Sequence, residues 1–302
     1  MSVDALDYKP YKPMNNTKKL WLVNDGIFPI IYNEERQLIN QFLETGLKSS
    51  LTLQGEGKFL GVPSLFLRTS MCNLRCLWDN KNGLPNTCDT SYSSFKPERN
   101  PMDIDIIARI IRNNIGNAKH LVITGGEPVY QAKGILQLMD SLTDLGLVYT
   151  IETNGSVYNE ELFKRVQLIS FSPKLKSSNP TKEKLDQLGM KLSPILIKQH
   201  DIARQRAVDT VRKAVTRCGW NWKTDMQVKF VVTDRSDLDC IKEEFLDKIP
   251  HLKPSQIYLM PEGITRADLA LKQMWVIEEC IKHGYNFAQR LHIEIWGEAR
   301  SV

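Results

Sequence analysis

"PSLFLRTSMCNLRC" (residues 63–76) places a short apolar run directly before two cysteines, and this arrangement decides the fold. The run has the length of a buried strand. Similar runs recur at 119–125, 147–153, 166–172, 193–199, 226–233, 256–260 and 291–296. Amphipathic segments alternate with them, at 102–114, 131–144, 203–217, 236–248 and 265–282. The alternation predicts an α/β fold with a parallel sheet. There are too few strand–helix units for an eight-fold barrel, so we expect a partial (β/α) barrel.

The N-terminal part of the chain differs from the rest. Residues 1–20 are polar and predict an arm that is poorly ordered or lies on the surface. "NEERQLINQFLETG" (33–46) predicts a helix closed by Gly46. We therefore divide the chain into an N-terminal extension, 1–48, and a core domain, 49–302. The polar segment 174–191 is a candidate loop or lid.

Composition restricts the class of protein. The chain has 302 residues, 42% hydrophobic and 25% charged, as in a globular protein. The net charge of +5 comes without a dominant basic run, so it does not indicate nucleic-acid binding. No stretch has the length of a membrane span, and the first residues lack the apolar core of a secretory signal. We expect a cytoplasmic protein whose six cysteines are reduced or bind metal.

Polar motifs follow four of the predicted strands. Arg68 and the cysteines follow the first, "TGGEP" (124–128) the second, "ETNG" (152–155) the third and "SPK" (172–174) the fourth. Because catalytic residues of such folds lie at the carboxyl ends of the strands, this placement predicts one shared active site.

The cysteines Cys72, Cys76 and Cys88 have an irregular spacing, with three and then eleven residues between them. Three thiolates suit an iron–sulfur cluster with one iron left open. Two other interpretations remain at this point: zinc with a distant fourth ligand such as His120, or three unconnected thiols. "KNG" (81–83) can form a tight turn, so residues 78–87 can loop out and return Cys88 to the other two.

The segments "CNLRC" and "CDTSY" resemble the radical S-adenosylmethionine enzymes, whose usual signature is C-x3-C-x2-C. Here Asp79 occupies the position expected for the third cysteine, and the sequence reads C-x3-C-x11-C. Either Cys88 is the third ligand after an insertion or the site is incomplete, and the retained "CDT" favours an insertion. The resemblance narrows to the 7-carboxy-7-deazaguanine synthase family. It rests on "LQGEGKFLGVPSLFLR", the cysteine segment, "VITGGEP", "IETNG", "SFSPK", "VKFVV", "LMPEG" and "RLHIEIWGEARSV", in matching order over about residues 50–302.

This resemblance implies a partial barrel of the radical S-adenosylmethionine type. The implied reaction is the ring contraction of 6-carboxy-5,6,7,8-tetrahydropterin to 7-carboxy-7-deazaguanine with release of ammonia, as in queuosine-type biosynthesis. The implied cofactors are a 4Fe–4S cluster, S-adenosyl-L-methionine and Mg2+. It also implies a homodimer and an electron donor such as flavodoxin or ferredoxin, with no membrane and no direct nucleic-acid partner.

By the same resemblance, Cys72, Cys76 and Cys88 bind the cluster and Thr90 binds Mg2+. The implied S-adenosyl-L-methionine contacts are Gly126, Glu127, Ser172, Pro173 and Lys174. The implied substrate contacts are Leu53, Gln54, Gly55, Glu56, Arg68, Thr124 and His292. For Arg68 there is a separate chemical reason, since guanidinium binds carboxylate in a bidentate manner.

Two alternative functions remain. Another radical S-adenosylmethionine enzyme, such as a glycyl-radical activase, would share the cysteines and "GGEP" but not the other motifs. A non-catalytic zinc-binding protein would need a fourth ligand, which the sequence does not make evident.

Overall fold

The computed structural model describes residues 18–80 and 83–302. Residues 1–17, within the predicted extension, and Lys81 and Asn82, in the predicted "KNG" turn, lie outside the described residues. The strands are β1 Lys19–Phe28, β2 Thr52–Leu53, β3 Pro63–Thr69, β4 Leu77–Trp78, β5 Asn86–Thr87, β6 Asn100–Asp103, β7 His120–Gly125, β8 Val148–Thr153, β9 Leu168–Phe171, β10 Asp225–Val232, β11 Ile257–Pro261 and β12 Asn286–Phe287.

The α-helices are α1 Ser91–Ser94, α2 Ile104–Asn114, α3 Ala132–Ser141, α4 Glu160–Arg165, α5 Lys182–Gln187, α6 Pro194–Val215, α7 Ser236–Ile241, α8 Arg266–His283 and α9 Leu291–Trp296. One π-helical turn, Lys242–Leu246, extends α7. Short 3-10 turns occur at Gly57–Phe59, Pro128–Gln131, Thr143–Leu145, Lys176–Ser178 and Pro254–Gln256. Within the described ranges, each helix is too short or too polar to cross a bilayer.

The main sheet has the order β12-β11-β10-β9-β8-β7-β3-β1-β6, and β2 also pairs with β3. From β3 to β12 neighbouring strands are parallel, whereas β1 is antiparallel to both β3 and β6. Parallel neighbours require crossover connections, and most of these contain the helices. The carboxyl ends of β3 and β7–β11 therefore lie along one edge of the sheet.

The two faces of the sheet differ in what they contact. In β10, Val228, Phe230 and Val232 belong to the main hydrophobic core, which includes residues of α2, α3, α4, α6, α7 and α8. Lys229 and Val231, on the other face of the same strand, line a cavity. Since alternate residues of a strand point to opposite faces, one face is covered by helices and the other faces the cavity. The predicted α/β class is confirmed.

Most predicted elements are found within a few residues of their predicted bounds, but three of the predicted helices and strands are wrong. Residues 33–46 form no helix: the Asn33 side chain accepts hydrogen bonds from the amides of Glu35 and Gln37, which stabilises a turn. Residues 193–199 begin helix α6 instead of forming a strand, because Ser193 caps the helix through the Leu196 amide and Pro194 follows. Residues 291–296 form α9 instead of a strand.

Strand β1 was not predicted, and its residues Lys19 and Leu20 belong to the sheet, not to a surface arm. The predicted boundary at residue 48 stays a prediction, although β1 places part of the predicted extension inside the main sheet. The segment 174–191 contains the turn Lys176–Ser178 and helix α5.

Candidate active site

A cavity of about 240 Å³ lies at the carboxyl ends of the parallel strands. Its lining includes most of the residues that the sequence singled out: Gln54, Glu56, Arg68, Cys72, Cys76, Cys88, Thr90, Thr124, Gly126, Ser172, Lys174 and His292. The other predicted site residues, Leu53, Gly55, Glu127 and Pro173, are neighbours of these in sequence and do not contribute to the lining. The structure thus brings the motifs after β3, β7, β8 and β9 to one place.

The loop after β3 packs backbone against backbone on the "GGEP" turn. The amide of Gly126 donates to Thr69 O at 3.1 Å, and the amide of Glu127 donates to Met71 O at 2.8 Å. A Cβ on Gly126 would lie 2.1 Å from the Met71 oxygen. Position 126 therefore needs glycine, because only a residue without a side chain allows the cysteine loop to approach this closely.

The segment between Cys76 and Cys88 returns as an antiparallel pair of strands, β4 and β5. At its base the amide of Cys88 donates to Cys76 O at 3.2 Å. Asp79 lies outside the cavity lining, and its carboxylate pairs with Lys184 at 3.2 Å. Of the two interpretations of the cysteine spacing, the geometry favours the insertion, because it returns Cys88 to the cavity and directs Asp79 away from it.

The three cysteines are free thiols in a largely apolar environment. Leu74, Trp78, Ala203 and Val231 pack around them. Burial raises the pKa of Cys72 to about 11, although the Leu74 amide at 3.4 Å acts in the opposite direction. Burial likewise raises the pKa of Cys76 and of Cys88. Cys76 is buried and Cys72 and Cys88 are partly buried, and all three line one cavity. Three such sulfur atoms are a donor set that suits an iron–sulfur cluster, which thiolates hold.

A mononuclear zinc site with His120 does not fit this structure. His120 begins β7, at the end of the strand away from the cysteines, and its ring contacts the hydroxyls of Ser64 at 2.7 Å and Thr150 at 2.8 Å. Among residues 18–80 and 83–302, no three His, Cys, Asp or Glu side chains, the three cysteines included, are grouped closely enough to hold a single metal ion. A cluster differs from such a site because its thiolates bind separate irons.

Thr90 follows the third cysteine and faces the same cavity. Its hydroxyl lies 3.3 Å from the Cys88 sulfur. The neighbouring carboxylate of Asp89 is paired with Arg290. A single hydroxyl fits Mg2+ as one ligand among several, because this ion keeps most of its waters and takes further oxygens from substrates.

Glu127 is fully buried behind the "GGEP" turn. Its carboxylate accepts hydrogen bonds from Thr153 Oγ1 at 2.7 Å, the Asn154 amide at 2.8 Å and the Val129 amide at 3.1 Å. Burial raises the pKa of Glu127 to about 7 in spite of these donors. The predicted contact between Glu127 and S-adenosyl-L-methionine stays a prediction.

A chain of alternating charges runs along one wall of the cavity. Lys229 pairs with Glu56 and, at 3.3 Å, with Glu152. Arg290 pairs with Glu56 at 3.2 Å and also with Asp89. Burial opposes ionisation of Glu56, but the two cations outweigh it and hold its pKa well below the usual range. The wall is therefore charged and internally paired.

Glu152, Lys229 and Arg290 were not predicted as members of this wall. The signal for Lys229 was present: "VKFVV" (228–232) is an otherwise apolar strand with one lysine, on the face opposite to Val228 and Phe230. A lone charge inside a buried strand is costly unless it is paired, so it indicates partners across a cavity.

Arg68 and Lys174 are the cations of the cavity that pair with no carboxylate among the described residues. The Arg68 guanidinium lies over the ring of Phe28, 5.1 Å from its centroid. The Lys174 ammonium donates to Ser172 Oγ at 2.8 Å. Both are therefore free to bind an anionic group, such as a ligand carboxylate.

His292 lies on α9, not on the strand that the sequence predicted. Its ring packs against Gly55, where a Cβ would lie 2.4 Å from His292 Nδ1. The amide of Leu291 donates to Gly55 O at 2.9 Å, which fixes the "LQGEG" loop to the C-terminal segment. Burial lowers the pKa of His292 to about 4, so the ring is neutral near pH 7.

The chain has named relatives among known proteins. No family model matches the chain. The 7-carboxy-7-deazaguanine synthase of Halobacterium salinarum is 37% identical over 254 residues, which cover 82% of this chain and 88% of the relative. The enzyme of the same name from Rhodopirellula baltica is 35% identical over 249 residues, covering 82% and 85%.

The fold has a counterpart among solved structures. QueE from Escherichia coli superposes with a TM-score of 0.51 at 23% identity, over 88% of this chain and 95% of that one. This likeness confirms the predicted fold type. Taken with the two relatives above, it leads to one conclusion: the chain belongs to the 7-carboxy-7-deazaguanine synthase family.

Proposed function

We propose that this chain converts 6-carboxy-5,6,7,8-tetrahydropterin to 7-carboxy-7-deazaguanine with release of ammonia, as a carbon–nitrogen lyase of 7-deazapurine biosynthesis. The observation that carries the proposal is the meeting in one cavity of three cysteines with two cations, Arg68 and Lys174, that pair with no carboxylate among the described residues. Membership in the family supports the same reaction. The glycyl-radical activase alternative lacks this support.

Cys72, Cys76 and Cys88 would hold a 4Fe–4S cluster through three of its irons. Gly126, Glu127, Ser172, Pro173 and Lys174 would contact S-adenosyl-L-methionine. When bound, the cluster supplies one electron and S-adenosyl-L-methionine supplies the group that takes a hydrogen atom from the substrate. The apolar packing of Leu74, Trp78 and Val231 around the sulfurs supports this role, because it excludes water from the reacting groups.

The substrate would lie between the "LQGEG" loop and β3. Arg68 would bind its carboxylate, since a guanidinium matches carboxylate geometry and Arg68 has no described carboxylate partner. The ionised Glu56 would accept hydrogen bonds from pterin N–H groups. Gln54, Thr124 and His292 would line the same pocket, and their neighbours Leu53 and Gly55 would be further substrate contacts. Because the His292 ring is neutral, it can donate from one nitrogen and accept at the other. Thr90 would bind Mg2+ beside the substrate.

The partners in this proposal are the pterin, an electron donor such as flavodoxin or ferredoxin, and a second copy of the chain, in the cytoplasm. Three exposed apolar side chains of α8, Leu271, Met274 and Ile281, support a homodimer, because subunit interfaces bury side chains of this kind. Light scattering on the purified protein tests the oligomeric state.

The deciding experiment is turnover under anaerobic conditions. Reconstituted protein is supplied with the carboxytetrahydropterin, S-adenosyl-L-methionine, Mg2+ and a reductant, and the products are identified by mass spectrometry. We expect 7-carboxy-7-deazaguanine and ammonia. An intact cluster that cleaves S-adenosyl-L-methionine without forming the deazaguanine would refute the proposed reaction and favour another radical enzyme.

A further inference from the structure

Lys184 is a buried lysine that lies outside the cavity, with only 4% of its surface exposed. Its ammonium donates to Leu77 O at 3.0 Å and to Ser177 O at 2.6 Å, and pairs with Asp79 at 3.2 Å. An ammonium has three hydrogens to donate, so these partners satisfy it completely.

The partners of Lys184 belong to two segments of the chain. Leu77 and Asp79 lie on or beside β4, directly after Cys76, whereas Ser177 lies in the turn that follows Lys174. Lys184 itself is in α5, whose first residues are capped by the Thr181 hydroxyl. A single side chain therefore connects the strand pair that carries Cys76 and Cys88 to the segment of Ser172 and Lys174.

Apolar contacts support the same connection. Leu77 is completely buried and belongs to a small hydrophobic cluster with Phe95 and Leu185, against which Cys88 packs. Leu185 is the residue next to Lys184. The strands β4 and β5 have only two residues each, and a pair this short is not stable alone. Its position must therefore come from contacts with the rest of the fold, which include those with α5 and the hydrogen bond that Asn86 Nδ2 donates to Glu262 Oε1 at 2.9 Å.

The three contacts of Lys184 differ in their expected weight. The Asp79 carboxylate is 74% exposed, so its ion pair contributes little. The Leu77 and Ser177 carbonyls are satisfied by a buried donor, and loss of a buried partner is costly. We therefore expect the hydrogen bonds from Lys184 to the two backbone carbonyls, and not its ion pair with Asp79, to hold the β4–β5 pair in place.

We propose that Lys184 is a positioning residue, which holds the β4–β5 strand pair, and with it Cys76 and Cys88, against the segment that carries Ser172 and Lys174. The proposal rests on the proposed function for the role of the cysteines as cluster ligands. Because the third cysteine is separated from the second by a long insertion, its position depends on this connection from outside the cysteine segment.

The test compares K184M with D79N and with K182M. Lys182 lies on the same helix but is exposed and pairs only with Asp186 among the described residues, so K182M is the matched control. The first measurement is hydrogen exchange of the cluster-free protein by mass spectrometry. We expect amides of residues 77–80 and 86–88 to exchange about tenfold faster in K184M. D79N and K182M should remain within about twofold of the wild type.

The second measurement uses the reconstituted protein. Iron release to a chelator should be about tenfold faster in K184M than in K182M, and the EPR spectrum of the reduced cluster should change only in K184M. If K184M does not fold, K184Q replaces it, with the same faster exchange expected.

The proposal would be overturned if K184M had native circular dichroism and its hydrogen exchange and iron release stayed within about twofold of the wild type. The exchange measurement needs neither cluster nor substrate. A wild-type protein that forms no deazaguanine would therefore refute the proposed reaction, and the hydrogen-exchange comparison would still test the role of Lys184.

Discussion

The amide of Cys88 lies 3.2 Å from the carbonyl oxygen of Cys76, although eleven residues separate the two cysteines in the sequence. This contact joins the two ends of the insertion and brings Cys88 next to Cys76. The residue at the usual third position, Asp79, points instead toward Lys184 and solvent.

The first prediction concerns the identity of the third cluster ligand. Replacing Cys88 with Ala should prevent assembly of a stable 4Fe–4S cluster, because only two thiolates would remain in the cavity. Replacing Asp79 with Ala should leave the cluster in place. Iron content after anaerobic reconstitution, about four atoms per chain in the wild type, measures both effects. A full complement of iron in the Cys88 variant would disprove the assignment.

The second prediction concerns Arg68. Arg68→Met should raise the KM for the pterin by about ten- to a hundredfold, because a charge-assisted bidentate contact is lost. Arg68→Lys should recover only part of this affinity, since an ammonium lacks the fork geometry. Steady-state kinetics at saturating S-adenosyl-L-methionine measure the change. The exposed Arg109 on α2 provides the control, and an equal effect of Arg109→Met would contradict a specific role of Arg68.

The third prediction concerns the buried lysine of the charged wall. Lys229→Met should lower the free energy of unfolding by about 3–5 kcal/mol, because Glu56 and Glu152 would lose the cation between them. Lys58→Met removes a half-exposed pair with Asp225 and should cost less than about 1 kcal/mol. Urea unfolding of the cluster-free proteins measures both, and similar costs would show that the wall does not depend on Lys229.

The fourth prediction concerns pH. Burial lowers the pKa of His120 from 6.5 to about 4, so between these values the unfolded chain binds a proton that the folded chain does not. The free energy of unfolding is therefore not reduced by His120 above pH 6.5, and it falls as the pH is lowered from 6.5 to about 4. The loss is about 3 kcal/mol.

The measurement compares urea unfolding of the wild type and His120→Gln at several pH values in this window. The variant should be less stable at neutral pH but should lose less stability on acidification. His251→Gln, which changes an exposed histidine, should retain the slope of the wild type. Parallel pH profiles for the wild type and His120→Gln would refute the burial argument.

The fold was predictable in segments where the spacing of the apolar residues and the length of the segment indicate the same type of element. Strand β3 and helix α2 were predicted within two residues because their apolar residues recur with the period of one structure only. Residues 193–199 were ambiguous: Ile195, Leu196 and Ile197 form a short apolar run as in a buried strand, but Leu196, His200 and Ala203 are the buried side chains. In the resulting helix Ile195 is exposed. Here the cap at Ser193 was the decisive signal.

The site was predictable where motifs follow strands, because parallel strands bring their carboxyl ends together. Its charged wall was not, because it depends on which distant side chains meet. Lys229 is 173 residues from Glu56 in the sequence, and Arg290 is 201 residues from Asp89. Pairings at such separations follow from the register of the sheet, which the sequence pattern does not specify.

Strand β1 lies between β3 and β6, so the first described strand of the chain is an inner strand. A shortened version beginning at residue 49 would not simply lose a tail. Strand β6 would lose the strand with which it pairs, and the edge of β3 would present open backbone groups to other molecules. We would expect such a protein to self-associate. Strand β1 therefore protects the chain against aggregation in addition to its place in the fold.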